Sequence, residues 1–257
     1  MLSTSKLKEL SFLVYGLGAS GQSVVKFFIK NNIKNFEIWD DVEKKLFKDK
    51  RSKKLKETLN KVDYIVLSPG ISLFKKKKLI KFKKKIITDI DLLYLTNKNL
   101  KSIVVTGTNG KSTTVALLHH ILKFNKIKSV IGGNFGYPAC EIIDPGNDGV
   151  IILELSSYQL DGASKLTLNL ASIINITPDH LDYHNNFEEY LSCKLKIVDF
   201  LNDNGTIVYN GGDKLLNQLI NKDKYQLIKI FKTKNISFQN YINDNISLNG
   251  KHNQVNA

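Results

Sequence analysis

The chain contains two units in which a short apolar run, a glycine-rich turn and a helical stretch follow one another. In the first, the run Phe12–Tyr15 leads into the turn GLGASG, and in the second the run Ser102–Thr106 leads into GTNGKST. Glycines at these spacings permit a tight turn from strand to helix and a close approach of the backbone to phosphate groups. A chain with two such units is predicted to be an α/β protein with a mainly parallel sheet.

Further β-type runs alternate with helical segments along the chain, as in parallel strands joined by helices. The candidate strands are Phe12–Tyr15, Phe36–Trp39, Tyr64–Leu67, Ser102–Thr106 and residues 150–155, 171–175 and 206–209. Because a second phosphate-type loop begins directly after the fourth strand, a new nucleotide-binding domain is expected to start near that point. We predict a Rossmann-like domain over residues 1–93 and a P-loop-type ATP-binding domain over residues 94–257.

The composition excludes several classes of protein. With 257 residues, 42% of them hydrophobic, the chain can bury a core, and its two cysteines cannot form a disulfide framework. No apolar run is long enough to cross a membrane. We therefore expect a cytoplasmic protein with no membrane partner.

The net charge of +14 comes from lysine, because only one of the 38 basic residues, Arg51, is an arginine. The densest lysine run, residues 75–85, has one aromatic residue, Phe82, and so lacks the series of interleaved aromatic side chains on which nucleic-acid bases stack. We interpret it as a solvated helix face and expect no nucleic-acid partner. With one arginine in the chain, a bound phosphate must be held by backbone N–H groups, lysine or a metal ion.

The first glycine turn predicts a nucleotide site. The N-terminus of its helix would receive a diphosphate, and Asp40, at the end of the next strand, stands where an acidic side chain binds a nucleoside. By itself this fingerprint most often belongs to nicotinamide- or flavin-dependent proteins. A dehydrogenase or a ligand-sensing module therefore stays open at this point.

The second glycine loop predicts an ATP site. Its backbone N–H groups can surround phosphate oxygens, Lys111 can reach the β- and γ-phosphates, and the Ser112 hydroxyl can bind magnesium. The loop departs from the general P-loop pattern because Val105 stands at the first glycine position. The candidate nucleotide-binding residues are Gly107, Thr108, Asn109, Gly110, Lys111, Ser112 and Thr113.

Two polar residues follow predicted strands that would end beside this loop. Glu154 lies in the apolar run that begins at Val150, and His180 lies in the segment after the next strand. Since ligands of a parallel sheet gather beyond the carboxyl ends of its strands, Glu154 is predicted to reach a metal ion bound at the loop. His180 would share that rim with Lys111 and Glu154, which favours a catalytic role for it.

Several motifs in a fixed order resemble the ATP-dependent muramyl ligases of peptidoglycan synthesis. They are GTNGKST, GGNFG at residues 132–136, LELSSYQL, NITPDHLDYH and the terminal GKHNQVNA, which together span essentially the whole chain. The GLGASG turn, the SPGI segment from Ser68 and LELSSYQL are most similar to the D-glutamate-adding branch. The resemblance implies that the first domain binds the UDP group of UDP-N-acetylmuramoyl-L-alanine and not a redox cofactor.

The resemblance also implies roles for single residues. Magnesium would be bound, directly or through water, by Ser112, Glu154 and His180. Lys194 aligns with a lysine that the family carbamylates, a change that turns a cation into a ligand for a second magnesium ion. Lys111, His180 and Lys194 would accordingly take part in catalysis.

The remaining implied roles concern substrate and adenine contacts. The UDP-sugar would be contacted by the backbone near Ala19 and Ser20 and by Asp40 and Ser68. Asn134 and His180 would contact the substrate and the metal. Asn253 and Asn256 match asparagines on the adenine side. Cys193 is interpreted as a packing residue.

The reaction that the resemblance implies joins D-glutamate to the substrate carboxylate through an acyl phosphate formed from ATP. Members of the family have a third, C-terminal Rossmann-like domain that contacts D-glutamate, and the 257 residues end inside the asparagine motif. We therefore expect that the third domain is absent here and that these residues alone lack ligase turnover. The full-length form is expected to be a monomer.

Two alternatives remain. Another muramyl ligase or a folylpolyglutamate synthase would share the phosphate loop, although the SSYQL sequence argues against both. A non-catalytic nucleotide-binding remnant would keep the fold and lose turnover.

Overall fold

The computed structural model describes residues 4–73, 75–97, 100–220 and 227–231, which form two compact units. The first unit contains the described residues up to Leu100 together with Tyr137–Ile142 and Tyr158–Leu166. The second contains Lys101–Gly136, Ile143–Ser157 and the described residues from Thr167 onward. Two short segments from later in the chain thus belong to the first unit. The sequence predicted a single boundary near residue 93 and did not predict these segments.

A four-stranded parallel sheet with the strand order β2-β1-β3-β4 forms the first unit. Its strands are β1 (Phe12–Tyr15), β2 (Phe36–Trp39), β3 (Tyr64–Leu67) and β4 (Ile86–Ile87). Its α-helices are α1 (Thr4–Leu7), α2 (Ala19–Lys30), α3 (Leu55–Lys61) and α4 (Asp89–Thr96), and 3-10 helices cover Lys48–Lys50, Lys77–Lys85 and Ala139–Glu141. Residue 93, the predicted domain boundary, lies inside α4.

Apolar side chains cover both faces of this sheet. On one face Phe12 packs against Phe28 of α2, with 4.8 Å between the ring centroids. On the other face Leu13 and Tyr15 belong to a cluster with Leu79 of the lysine-rich 3-10 helix. Successive residues of a strand point to opposite faces, so a strand buried on both sides reads as a continuous apolar run.

The second unit is a six-stranded sheet with the order β10-β9-β8-β5-β7-β6, and every pairing in it is parallel. Its strands are β5 (Ser102–Thr106), β6 (Ser129–Gly133), β7 (Val150–Glu154), β8 (Leu168–Ile173), β9 (Leu201–Asn210) and β10 (Leu227–Phe231). The helices are α5 (Lys111–Phe124), α6 (Ser157–Gly162), α7 (Phe187–Asp199) and α8 (Lys214–Leu219), and α6 is divided between the units after Ser157. Among the described residues, no helix is both long and apolar enough to cross a membrane.

The predicted α/β class with mainly parallel sheets is confirmed, but three strands were not predicted. The strand β4 has two residues, β6 ends in two glycines, and β10 lies in the tail rich in asparagine and lysine. Short length, glycine and polar composition each weaken the sequence pattern from which a strand is recognised.

The first glycine turn provides a test of this fold, because its glycines differ in how much space surrounds them. A Cβ atom at Gly21 would lie 1.8 Å from the carbonyl oxygen of Gly16, whereas a Cβ at Gly18 would meet no atom within 4 Å. We expect Gly21→Ala to lower the free energy of unfolding of the first unit by about 3 kcal/mol or more, because the backbone must move. Gly18→Ala should change it by no more than about 0.5 kcal/mol.

Denaturant titrations that follow the fluorescence of Trp39, the single tryptophan of the chain and a residue of β2, measure this difference. Equal midpoints for the two variants would contradict the packing described for Gly21.

Candidate functional site

The glycine turn of the first unit is closed by the residue that follows β3. Gly16 has a φ of +100°, and a Cβ there would lie 2.8 Å from the Ser68 hydroxyl oxygen. The Ser68 hydroxyl donates a hydrogen bond of 2.9 Å to the Gly16 carbonyl. The turn therefore requires glycine at residue 16, and Ser68, a predicted substrate contact, is one of the groups that hold it.

Asp40 holds the same turn from the end of β2. Its Oδ2 accepts a hydrogen bond of 2.6 Å from the Leu17 N–H, and its Oδ1 accepts bonds of 2.8 Å from Val42 and Glu43. Burial acts to raise the pKa of Asp40, but the three backbone donors outweigh it and lower the pKa. A carboxylate has about four acceptor positions, so most of this one is committed to the backbone.

Asp41 forms a second polar cluster, which was not recognised in the sequence. It accepts hydrogen bonds from the Trp39 indole N–H at 3.0 Å and the Tyr15 hydroxyl at 3.2 Å, and it pairs with the Lys76 ammonium at 2.9 Å. Burial acts to raise the pKa of Asp41, yet the hydrogen bonds from Lys76 and Trp39 lower it to about 2. The carboxylate is therefore charged at neutral pH and links the end of β2 to the segment after β3.

The phosphate-type loop of the second unit lies between β5 and α5. The first hydrogen bond of the helix runs from the Thr114 N–H to the Gly110 carbonyl, at 3.0 Å. The preceding N–H groups therefore have no acceptor within the helix and can face an anion. The Lys111 ammonium donates a hydrogen bond of 2.9 Å to the Thr108 carbonyl, so its side chain folds back over the loop.

Glu154, at the end of β7, is 1% exposed and contacts two predicted site residues. Its Oε2 accepts a hydrogen bond of 2.7 Å from the Ser112 hydroxyl, and its Oε1 accepts one of 2.7 Å from the Asn134 amide. Gly133 permits this approach, since a Cβ there would lie 2.3 Å from the Glu154 carbonyl oxygen. The structure thus brings Ser112, Asn134 and Glu154 together. Of these three, a strand-end position was predicted for Glu154 alone, and Asn134 was implied only by the family resemblance.

The oxygen atoms of Ser112 and Glu154 fit a magnesium ion, which prefers hydroxyl, carboxylate and water oxygen ligands. Within the described ranges, no three side chains of histidine, cysteine, aspartate or glutamate gather as a metal-binding group. Ser112 and Glu154 would supply oxygen ligands to a magnesium ion at this place, and the resemblance adds His180, directly or through water. Phosphate and water oxygens would complete its shell, as is usual for magnesium at nucleotide sites.

Lys194, a residue of α7, contacts the backbone of the same loop. Its side chain is 2% exposed, and its ammonium donates a hydrogen bond of 2.6 Å to the Gly107 carbonyl. Burial is the main cause that lowers the pKa of Lys194 to about 7, and the positive charge of Lys111 adds to it, while Asp179 and Glu154 act in the opposite direction. Burial also lowers the pKa of Lys111, which Glu154 and Asp179 partly counter.

His180 lies in the segment that follows β8 and has a φ of +54°, which is unusual for a residue other than glycine. Its Nε2 is 3.5 Å from the Asp179 carboxylate, and its ring centroid is 6.3 Å from that of Tyr190. The side chain is 43% exposed. A ligand can therefore reach His180 from solvent.

The structure describes three of the remaining predicted residues and leaves two outside the described ranges. Ala19 and Ser20 form the first turn of α2, where a helix N-terminus can receive a phosphate. Cys193 is buried, with its sulfur 3.9 Å from the His184 Nδ1, in keeping with packing. Asn253 and Asn256 lie outside the described residues.

The sequence did not reveal the side chains that hold the phosphate loop in place. The Thr108 hydroxyl lies 2.8 Å from that of the buried Tyr190, and the Asn175 amide is bonded to the loop backbone. Asn175 directly precedes the sequence ITPDH, at the end of a predicted strand. A polar residue at that place was the available signal for a role at the site. The sequence did not show that Tyr190 and Asn175 contact the loop, because both residues are far from it in the chain.

Two family models match the chain. The Mur ligase middle domain matches residues 105–257, and the model described as "Mur ligase MurD-like, N-terminal domain" matches residues 10–90. A structure of UDP-N-acetylmuramate:L-alanyl-gamma-D-glutamyl-meso-diaminopimelate ligase from Neisseria meningitides is similar in fold. It has a TM-score of 0.54 and 15% identity and covers 87% of this chain and 78% of that protein.

Curated relatives carry the name UDP-N-acetylmuramoylalanine--D-glutamate ligase. The protein from Rickettsia prowazekii is 40% identical over 79% of this chain, which corresponds to 47% of the relative. The protein from Francisella tularensis subsp. novicida is 35% identical over 94% of this chain, which corresponds to 58% of the relative. The chain thus spans about half the length of the curated relatives that it matches.

The environment of Lys194 predicts an unusual dependence of stability on pH. Its pKa is about 7 in the folded protein against 10.5 for an ordinary lysine, so between these values the unfolded chain binds a proton that the folded chain does not. Stability rises with pH wherever the unfolded state binds more protons. We expect the free energy of unfolding of the wild type, relative to Lys194→Met, to rise from about pH 7 to 10.5 and to be constant below this window.

Urea titrations of both proteins across the window measure this difference. A difference that stays constant throughout would show that the Lys194 amine keeps its proton in the folded protein.

Proposed function

The chain belongs to the Mur ligase family, and from this membership we propose that it serves ATP-dependent addition of D-glutamate to UDP-N-acetylmuramoyl-L-alanine in peptidoglycan precursor synthesis. The observation that carries the proposal is the contact of Ser112 with the buried Glu154 directly beside the phosphate loop. The pair supports the proposal because it would offer two hard oxygen ligands to a magnesium ion bound with the phosphates of ATP. The names of the curated relatives support D-glutamate as the amino acid.

The proposed reaction proceeds in two transfers. An oxygen of the substrate carboxylate attacks the γ-phosphorus of ATP, the bond from that phosphorus to the bridging oxygen breaks, and ADP leaves. The D-glutamate amine then attacks the carbonyl carbon of the acyl phosphate, loses a proton, and phosphate departs with the electron pair of the broken C–O bond. The carboxylate needs this activation because it is otherwise a poor acceptor for an amine.

In the first transfer the phosphate loop acts by position and charge. The N–H groups at the start of α5 would hold the β-phosphate, and Lys111 would exchange its bond to the Thr108 carbonyl for one to the transferring phosphate. Ser112 and Glu154 would hold magnesium, with His180 acting directly or through water. When bound, magnesium neutralises the negative charge that spreads over the phosphate oxygens.

The first unit would bind the UDP group of the substrate. The start of α2, with the backbone near Ala19 and Ser20, offers N–H groups to the diphosphate. Asp40 and Ser68 both hold the glycine turn, so their contribution includes keeping the turn in its binding geometry. Asn134 and His180 of the second unit would contact the part of the substrate that reacts.

Calorimetry with the 257-residue chain tests the two nucleotide sites. We expect binding of UDP-N-acetylmuramoyl-L-alanine, binding of ATP that requires magnesium, and no comparable binding of NAD. Lys111→Ala should remove the heat of ATP binding and leave that of the UDP-sugar unchanged, because it deletes a phosphate-binding charge that the single arginine of the chain does not replace. NAD bound more tightly than the UDP-sugar would favour the dehydrogenase alternative.

We further propose that Lys194 is carbamylated and holds a second magnesium ion. Its buried amine has a pKa of about 7, so a large fraction is uncharged at neutral pH, and the uncharged amine is the form that attacks carbon dioxide. The reaction forms an N–C bond and releases a proton. The neighbouring charge of Lys111, which disfavours the ammonium form of Lys194, would stabilise the carbamate anion.

NMR of the chain in ¹³C-labelled bicarbonate tests the modification. We expect one carbamate carbon signal at neutral pH that Lys194→Met removes. Lys196→Met is the matched control, since Lys196 lies on the same helix and is only partly buried, and it should retain the signal. A signal that persists in Lys194→Met would assign the carbamate to another amine.

We propose that residues 1–257 alone bind both nucleotides and that formation of the amide requires the full length of the curated relatives, of which this chain spans about half. A non-catalytic nucleotide-binding protein would also bind both nucleotides. The lowered pKa of the buried Lys194 amine beside the phosphate loop favours the ligase, because titratable groups with shifted pKa values cluster at catalytic sites. We propose that the reaction takes place in the cytoplasm, where ATP and UDP-linked substrates are available, and that the full-length enzyme acts as a monomer.

A further inference from the structure

The phosphate loop is bonded to one short segment that follows β8. The N–H of Asn109 donates a hydrogen bond of 2.9 Å to the Asn175 side-chain oxygen, and the N–H of Thr108 lies 3.1 Å from the same oxygen. In the opposite direction, the Asn175 amide nitrogen donates a bond of 3.0 Å to the Asn109 carbonyl. One side chain thus satisfies three backbone groups of two successive loop residues.

Main-chain contacts support the same attachment. The Thr108 N–H also lies 3.0 Å from the Asn175 carbonyl, and the Thr108 hydroxyl is bonded to the Thr177 carbonyl and N–H at 3.1 and 3.0 Å. A Cβ atom at Gly107 would lie 3.3 Å from the Asn175 carbonyl oxygen. The loop and the segment after β8 are therefore in close contact over several residues.

Only an amide of this length makes the three side-chain bonds. A carboxylate offers the acceptor for Thr108 and Asn109 but has no hydrogen to give to the Asn109 carbonyl. It would instead place a negative oxygen against that carbonyl oxygen. An apolar side chain would leave the N–H groups of Thr108 and Asn109 without this acceptor.

The bonds also decide which N–H groups can hold a phosphate. Those of Thr108 and Asn109 already donate to Asn175. The first bond of α5 runs from Thr114 to Gly110, so the N–H groups of residues 110–113 are the ones that a phosphate can use. A site whose donors are already oriented does not need to reorganise when the phosphate arrives.

We propose that Asn175 is a positioning residue of the nucleotide site, which fixes the phosphate loop so that the N–H groups of residues 110–113, and not those of Thr108 and Asn109, bind the β-phosphate. This inference rests on the proposed binding of ATP. Asn175 itself touches the loop and not the nucleotide. Its effect is on the affinity for a diphosphate or triphosphate group.

The variant Asn175→Asp tests the inference because it changes one NH₂ group to oxygen. We expect the affinity for ADP with magnesium to fall about ten- to a hundredfold, since a donor bond is lost and a negative charge is added beside the phosphate site. Calorimetry is carried out well below the unfolding temperature. The affinity for UDP, which the first unit would bind, should not change.

Asn169→Asp is the matched control. Asn169 is an exposed residue of β8, the strand that precedes Asn175. Its side-chain oxygen accepts a hydrogen bond of 3.2 Å from the Ser102 N–H, at the end of β5 opposite to the phosphate loop. This variant adds the same charge to the second unit without touching the loop. It should bind ADP as the wild type does.

The outcomes separate the inference from the proposed function. A wild type that binds no ADP overturns the proposed ATP site and this inference with it. A wild type that binds ADP, with an unchanged affinity in Asn175→Asp, overturns the role of Asn175 alone. Equal losses of ADP and UDP affinity would also overturn it, because they would show a general loss of structure.

A second measurement needs no variant. In ¹⁵N NMR of the wild type, ADP with magnesium should shift the amide signals of residues 110–113, while those of Thr108 and Asn109 should move little and stay protected from hydrogen exchange. Large shifts or loss of protection at Thr108 and Asn109 would show that these amides leave Asn175 to bind phosphate, and would overturn the inference.

Discussion

The site of the second unit depends on the position of β5 between β7 and β8 in a parallel sheet. In this register Val105 lies beside Glu154, and Thr106 lies beside Ile173. The carboxyl ends of the three strands therefore meet at one edge, and the residues that follow them are brought within hydrogen-bond distance. The Glu154 carboxylate, at the end of β7, contacts Ser112 at the start of α5. The amide of Asn175, which follows β8, contacts the loop after β5.

The same edge carries an unusual concentration of buried polar groups. Glu154 and Lys194 are almost completely buried, and each uses its polar atoms to hold the loop or the first turn of α5. Removing a charge from water is unfavourable unless it is paired or neutralised. Glu154 is satisfied by two donors, whereas burial lowers the pKa of the Lys194 amine to about 7, so that part of it is uncharged at neutral pH.

The first unit manages its phosphate-type turn by a different arrangement of charge. Asp40 and Asp41 follow the same strand, but Asp40 binds backbone N–H groups of the turn, while Asp41 binds Trp39, Tyr15 and Lys76. Two adjacent acids thus hold two different segments at the edge of the sheet. Backbone N–H groups stabilise the Asp40 carboxylate, with the charge of Arg51 adding to them, and the Lys76 ammonium stabilises that of Asp41.

The sequence by itself determined the α/β class, four strands at their observed bounds and the two glycine-rich turns, because apolar runs and glycine spacing are local properties of the chain. Ser112 and Glu154 were predicted as site residues from their motifs and Lys194 from the family resemblance, and the structure places all three around the phosphate loop and the first turn of α5. The sequence did not reveal that Asp40 holds the turn, that Asp41 pairs with Lys76, or that Asn175 holds the phosphate loop from 66 residues away. Those roles were decided by the tertiary structure, because a polar side chain acquires its function from the partner that the sheet order places beside it.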